Sequence, residues 1–432
     1  MMEFAPIIVL VLSFIVLLAM RVPVAWSIAI ASLLTMLISI PALPAFTTIA
    51  QRIATGLDSF ALLAIPFFIL SGQLMNNGGI AKRLIDFAKT LIGSLPGGLA
   101  LINIVSAMMM GAIAGSAMAS ASAMGSILGP EMEKEGYSRE FGAAVNITSS
   151  TTGLLIPPSN VLIVYSLASG GVSIAALFLA GYIPGILTGL LLMIVAVFWA
   201  KKKGYKTRER SSLKEIFSTF IKAVPSLFLL VVVIGGIVGG IFTATEASAI
   251  AVLYTLLLAF WYKEISFDDL PKILLDSVGT TAVVMLLIGA SMSMSWIMSY
   301  ENIPQDLSNA LLGVSDNKVI ILLMINLLLL FVGIFMDMTP AILIFTPIFL
   351  PIVTKLGIDP VHFGIMMVLN LSIGLCTPPV GSVLFVGVGV AKTTIEKVIK
   401  PLIPLYIAMI VALFIITYFP SLSLWLPRVF GV

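Results

Sequence analysis

The 432-residue chain contains one cysteine, one histidine and few charges. Each scarcity excludes something. Cys376, alone, has no partner for an internal disulfide. His362, alone, leaves no histidine-based metal site and no nucleophile–histidine triad. Charged residues make up 10% of the chain, whereas soluble domains carry about 25%. No glycine-rich loop with a phosphate-binding lysine is present, so the chain does not power itself with ATP. Net charge is only +3, and the basic run at 201–214 reads as a topology signal rather than a nucleic-acid site. The start, Met1-Met2-Glu3, lacks a basic leader region and a small-residue cleavage site, so the first apolar run is expected to stay as a membrane helix.

What is abundant is apolar length. Hydrophobic residues make up 60% of the sequence. Runs of about 20 residues, enough to cross a bilayer core, recur throughout. The pattern predicts an all-α polytopic membrane protein with spans near 4–20, 24–40, 60–76, 141–169, 173–199, 217–242, 246–262, 272–297, 362–391 and 397–420. Two further apolar segments, 97–135 and 316–355, break at Ala114-Gly115-Ser116 and at Asp337-Met338-Thr339-Pro340. They read as helical hairpins that dip in and return on the same side. A mixed polar and apolar helix, suited to the membrane interface, precedes each: Ile80 to Ile92 and Ile303 to Leu312.

Lysine and arginine set the orientation. With the 201–214 loop on the cytoplasmic side and the spans alternating, all of the 23 cations except Arg52, Lys318, Lys355 and Arg428 fall on that side. A miscounted span would mix the two sides. Both chain ends are then expected outside the cytoplasm.

The stretch from Asn146 to Asn160 lies inside a span yet carries Ser149-Ser150-Thr151-Thr152-Gly153 and then Pro157-Pro158. Two prolines stop or kink a helix. The freed backbone groups cannot face lipid, so they face protein, water or a ligand. The same device recurs. Pro130, Gly136, Gly153 and Pro157-Pro158 match Pro351, Gly357, Gly374 and Pro378-Pro379 at one offset of 221 residues. Phe141-Gly142 and Phe363-Gly364 follow with a one-residue slip, and Leu101-Ile-Asn103 resembles Met324-Ile-Asn326. Between the copies lie the crossings 141–169, 173–199, 217–242, 246–262 and 272–297, an odd number, so the second copy is upside down. Inverted repeats with broken helices are the architecture of many secondary transporters.

Each copy offers a hairpin tip and a helix break: Gly115-Ser116 to Ser120 with Ser149 to Gly153, and Asp337-Met338-Thr339 with Ser372 to Thr377. Hydroxyls plus carbonyls freed at a break form a hard-oxygen cage suited to Na⁺. The half-helix N-termini after each Pro-Pro present N–H groups to an anion. The plain alternative is that these hydroxyls tie neighbouring helices together. Asp337, an acid at membrane depth, is open to two readings, cation ligation and capping of the helix that starts near Pro340. Glu246 reads as a cap, His362 as structural, Cys376 as a filler of a small position and Met108-Met109-Met110 as packing. An intramembrane enzyme would need a set of acids or histidines at depth that the sequence lacks, so no catalytic role is expected.

Gly115-Ser116-x-x-Ala119-x-x-x-Ala123-x-Gly125, Ile156-Pro-Pro-Ser159, Phe335-Met-Asp337 and Cys376-Thr-Pro-Pro-Val-Gly381 together resemble the large membrane subunit of TRAP transporters, the tripartite ATP-independent periplasmic transporters. The resemblance covers nearly the whole chain. One departure is Ser120, where many members carry an acid. The resemblance implies Na⁺-driven import of an organic anion, a C4-dicarboxylate or a sialic acid-like sugar acid, across the bacterial inner membrane. It implies a periplasmic binding protein and a small four-helix membrane subunit, expected as a separate chain. It also implies the elevator-type superfamily, with about ten spanning helices plus the two hairpins. On that likeness one Na⁺ site is expected from Gly115, Ser149, Ser150, Thr151 and Gly153, and a second from Asp337, Ser372, Gly374 and Cys376. The substrate is expected between them, near Ser116, Ser120, Thr152, Pro157, Ser159, Thr339 and Thr377. The expected division is scaffold at 1–92, transport domain at 93–170, scaffold at 171–312, transport domain at 313–392 and a last scaffold helix at 393–432. The competing reading is a stand-alone Na⁺/dicarboxylate carrier that uses no binding protein.

Overall fold

The computed structural model describes residues 5–205, 211–315 and 317–432. Lys206, Arg208 and Arg210 of the basic loop, and the first residues of the 4–20 span and the 316–355 hairpin, lie outside the described residues. Every regular element described is helical. In order they are α1 (Ala5–Ala19), α2 (Val24–Ser39), α3 (Ala42–Gly56), α4 (Ala64–Asn77), α5 (Ile80–Ile92), α6 (Gly98–Ala114), α7 (Ala117–Lys134), α8 (Arg139–Thr152), α9 (Asn160–Ala168), α10 (Ile174–Lys203), α11 (Leu213–Val238), α12 (Ala244–Trp261), α13 (Leu270–Tyr300), α14 (Ile303–Val314), α15 (Lys318–Phe335), α16 (Met338–Lys355), α17 (Pro360–Gly374), α18 (Ser382–Val390), α19 (Ile395–Tyr418) and α20 (Ser421–Phe430). Among the described residues, eight helices are long and apolar enough to cross a membrane, and α8 with α9 makes a ninth span bent by 50°.

Local chemistry sets the helix ends. Asp359 accepts from the Val361 N–H, with Pro360 at the first helical position of α17. Thr243 and Glu246 form a reciprocal capping box on α12, as expected for Glu246. Two helices were absent from the sequence reading, α3 and α20. Both are short and amphipathic, with few buried residues, and α20 carries Pro427, so neither shows as an apolar run. α3 lies against α2 and α13, and α20 against α10 and α17.

The repeat is visible in the packing. α6–α7 and α15–α16 are the two hairpins, and each first arm crosses the broken helix of its own copy. Both crossings are glycine against glycine. A Cβ on Gly153 would lie 2.6 Å from the Gly111 Cα, and one on Gly374 would lie 2.5 Å from the Gly333 Cα. Only bare backbones fit at that distance. α8 ends at Thr152 and α9 starts at Asn160, while α17 ends at Gly374 and α18 starts at Ser382. Both intervening Pro-Pro bonds are cis.

Two packing groups emerge. α1–α4 and α11–α13 pack among themselves, with α5 against α11. The hairpins and broken helices form the other. α10 and α19, which the sequence division put in the scaffold, pack on α6, α8 and α17, and on one another. Outward faces such as Leu12, Phe228 and Leu275 are exposed and apolar, which fits lipid rather than water.

Candidate functional site

A cavity of about 430 Å³ lies between the two packing groups. One wall comes from α4, with Gln73 and Asn76, and from α13, with Thr280 and Leu287. The opposite wall comes from both repeats at once: Gly115, Ser116 and Ala117 from the first tip, and Asp337, Met338 and Thr339 from the second. Asn160, Val161, Leu375 and Val383 complete it. The tips of both copies thus meet at one cavity.

The field in this cavity follows from the helix breaks. α7 starts at Ala117, α9 at Asn160, α16 at Met338 and α18 at Ser382; Ala117, Asn160, Met338 and, one residue into α18, Val383 line the cavity. Four helix N-termini converge, each a positive dipole end; at α18 the Val383 and Leu384 N–H groups donate to the Leu375 carbonyl, so the free N–H groups come chiefly from α7, α9 and α16. Among the described residues no arginine or lysine lines the cavity. An anion held here would meet backbone donors and hydroxyls.

The oxygens at the tips differ. Ser116 caps α7 and accepts from the Ala119 N–H at 3.3 Å. Gly115 has φ +60°, which favours glycine, and the Asn160 carboxamide lies directly against it, leaving no room for a side chain. Asp337 occupies the N-cap position of α16, but its side chain makes no capping bond. Its carboxylate is exposed on the cavity side. The geometry thus has the position of a cap without the bond of one.

Asn160 and Ser382, missed by the sequence reading, are equivalent residues: each is the first of its half-helix. Among the described residues the Asn160 Oδ1 and the Ser382 Oγ are buried with no hydrogen-bond partner. A lone buried acceptor costs roughly 1–3 kcal/mol, and here an unpaired oxygen recurs in both copies beside a break. The signal for them was positional, the second or third residue past each Pro-Pro pair.

Of the residues expected from sequence, Gly115, Ser116, Asp337 and Thr339 line the cavity. The others stand behind or beside it. Ser149 and Ser150 donate to the carbonyls of Val145 and Asn146, each at 2.7 Å. Thr152 donates to the Ser149 carbonyl at 2.6 Å, Ser372 to the Val368 carbonyl at 2.7 Å and Thr377 to the Ile373 carbonyl at 2.8 Å. Ser120 donates across the first hairpin to the Ala107 carbonyl, and Ser159 to the Leu154 carbonyl. A hydroxyl that donates still offers lone pairs to a cation. The two breaks touch where Thr151 Oγ1 meets the Cys376 Sγ at 3.5 Å. Gly153 and Gly374 serve the helix crossings. Pro157 borders a separate apolar groove of about 260 Å³, with Met108, Met109 and Tyr182. His362 is buried, its ring nitrogens 2.7 Å from the Ser423 Oγ and 3.2 Å from the Thr417 carbonyl, so it ties α17 to α19 and α20. Among the described residues no group of three His, Cys, Asp or Glu could hold a metal ion. The oxygens on offer suit a hard monovalent cation rather than a transition metal.

Comparison with known proteins agrees with this architecture. Residues 11–422 match the family described as "Tripartite ATP-independent periplasmic transporter, DctM component". The chain is 57% identical to the uncharacterized protein YgiK of Salmonella typhimurium, over 99% of this chain and 98% of that one. It is 38% identical to the C4-dicarboxylate TRAP transporter large permease protein DctM of Rhodobacter capsulatus, over 93% and 94%. In fold it is similar to the YdaH transporter of Alcanivorax borkumensis, with a TM-score of 0.65 at 14% identity over 88% and 89% of the two chains. The inverted hairpins, the broken helices and a match over nearly the full length lead to one conclusion: this chain belongs to the family of TRAP transporter large membrane subunits.

Proposed function

We propose that this chain carries a small organic anion into the cytoplasm together with Na⁺, after delivery by a periplasmic binding protein, by an elevator stroke of its hairpin group. The observation that carries the reading is the shared cavity. It is bounded by both hairpin tips and four helix N-termini on one side and by two scaffold helices on the other. An anion with two cations fits this setting. Oxygens of the first tip and break, with Asn160, hold one Na⁺. Asp337 and the second break, with Ser382, hold the other. The anion between them meets Ser116, Thr339 and the N-terminal N–H groups. Loading all three leaves little bare charge to cross the membrane.

The state of this structure is cytoplasm-facing on this reading. Gln73 and Asn76 lie in the last turns of α4, and Thr280 in the third turn of α13. By the lysine and arginine bias, those ends lie on the cytoplasmic side. The moving unit comprises α6–α10 and α15–α20, because α10 and α19 pack with the hairpins. The volume of about 430 Å³ accommodates a C4-dicarboxylate, the substrate named for the Rhodobacter capsulatus relative, or a sugar acid such as sialic acid. The word "tripartite" in the family description supports two partners, a small membrane subunit and the binding protein. The setting is the bacterial inner membrane with both termini in the periplasm.

Reconstitution tests this. Uptake into proteoliposomes should require Na⁺, the small subunit and a cognate binding protein. Unchanged uptake with K⁺ in place of Na⁺ removes the coupling. Transport by this chain alone favours the stand-alone carrier.

A further inference from the structure

Away from the transport cavity, a crevice of about 590 Å³ opens where α5 and α11 meet the end of α12. Its charges are Lys82, Arg83 and Asp86 on α5, Lys222 on α11, and Glu264 just past α12. Arg83 is committed: its guanidinium lies 3.5 Å over the Tyr262 ring, 3.8 Å from the Glu264 carboxylate, and donates to the Gly79 carbonyl. Lys82 and Lys222 stand exposed on opposite walls. Among the described residues neither has an acidic partner within 4.0 Å. The flank is apolar and outward, with Trp261 76% and Ile221 53% exposed. On the sequence-based orientation, this crevice sits at the cytoplasmic interface, where anionic lipids concentrate.

We propose that the crevice seats the headgroup of an anionic phospholipid. The phosphate bridges Lys82 and Lys222, and the acyl chains run along Ile221 and Trp261. Three cations against two acids leave a surplus of one, too little to hold free phosphate against water; the buried chains supply the rest of the affinity. A protein segment covering the crevice would bury both lysines unpaired, which is costly. The location gives the lipid a role. α5 packs on both α11 and α6, so it joins the scaffold to the first hairpin. A lipid that bridges α5 and α11 fixes the pivot from which that hairpin moves.

Native mass spectrometry of the purified chain tests this with phosphatidylglycerol and phosphatidylcholine as probes. Wild type and a same-side control, Lys397→Gln with Lys400→Gln, should retain phosphatidylglycerol through delipidation. Lys82→Gln with Lys222→Gln should lose at least about tenfold of that occupancy, about 1.4 kcal/mol, since each lysine beside an anionic lipid contributes about 1 kcal/mol. If the double variant does not fold, Lys222→Gln alone, at an exposed helix position, should show a smaller loss of the same sign. Equal retention of phosphatidylcholine, undiminished retention by the variants, displacement by millimolar inorganic phosphate, or loss of the lipid when the small subunit binds would each overturn the proposal.

Discussion

The two copies of the repeat share a backbone and differ in chemistry. In both, a glycine on the first hairpin arm lies against a glycine at the helix break, Gly111 on Gly153 and Gly333 on Gly374. In both, a half-helix restarts on a residue with an unpartnered oxygen, Asn160 and Ser382. The tips are unlike: Gly115-Ser116 offers a hydroxyl, while Asp337 offers a carboxyl group. The polar floors are unlike too. In copy two, Asn370 donates to the Asn326 Oδ1 at 2.8 Å and Asn326 donates to the Thr417 Oγ1 at 3.1 Å, which leaves only the Asn370 Oδ1 of this pair without a partner among the described residues. In copy one, Asn146 donates to the Ala121 carbonyl at 2.7 Å, while among the described residues the Oδ1 atoms of both Asn103 and Asn146 have no partner. What persists is what sets geometry. What diverges is what sets charge and rigidity.

The largest expected effect breaks the shared part. Gly374→Ala and Gly153→Ala each force two backbones apart, at roughly 1–3 kcal/mol or more. Thermal melting in detergent should fall for both by similar amounts; a fall in one alone would mean that the crossings are not equivalent. Next comes the charge asymmetry. Asp337→Asn should lower Na⁺-driven uptake at least about tenfold, since a contact to a charged group is worth roughly 1.5–3 kcal/mol. Ser116→Ala should cost only a few-fold. Full uptake by Asp337→Asn would return that residue to the capping reading.

The floors give a smaller contrast. Asn326→Ala removes the bonds of its side chain to Asn370 and Thr417, leaves Asn370 only the residue-326 backbone carbonyl, and should destabilise by roughly 1–3 kcal/mol. Asn103→Ala should cost less, because its Oδ1 has no bond to lose. Equal melting shifts would contradict the difference. The smallest effect lies at the junctions between hairpin and broken helix. Copy one joins them with Arg139 on Glu133, at 2.8 and 2.9 Å. Those bonds hold the Glu133 carboxyl below its usual range. A folded-state value lowered in this way stabilises above the unfolded carboxylate pKa and loses that contribution as pH falls through the folded one. Glu133→Gln should therefore melt slightly lower than wild type at pH 7, and the gap should close below about pH 4. Copy two has a helix cap, Asp359, at this place.

Much of this was legible because membrane helices are monotonous. Pro-Pro, Gly153 and a hydroxyl run stand out in an apolar stretch, and five matched breakers at one offset revealed the repeat. Single polar residues did not stand out. Gln73, Asn76 and Thr280 gain meaning only when folding brings α4 and α13 to the hairpin tips. Asn160 read as one more residue of the break. The run Ser149–Thr152 covers every face of a helix turn, so spacing alone left its orientation open. The structure has all four buried and bonded to the backbone behind the cavity. α3 and α20 escaped because an amphipathic helix at an interface lacks an apolar run.

The central claim is that both tips close on one cation-loaded site. Single cysteines at Ser116 and at Thr339, in a Cys376→Ser background, should react with a polar maleimide reaching the cytoplasmic side. Na⁺ with the organic anion should protect both positions, and K⁺ with the same anion should protect neither. Protection of one tip without the other, or protection indifferent to the cation, would contradict the account.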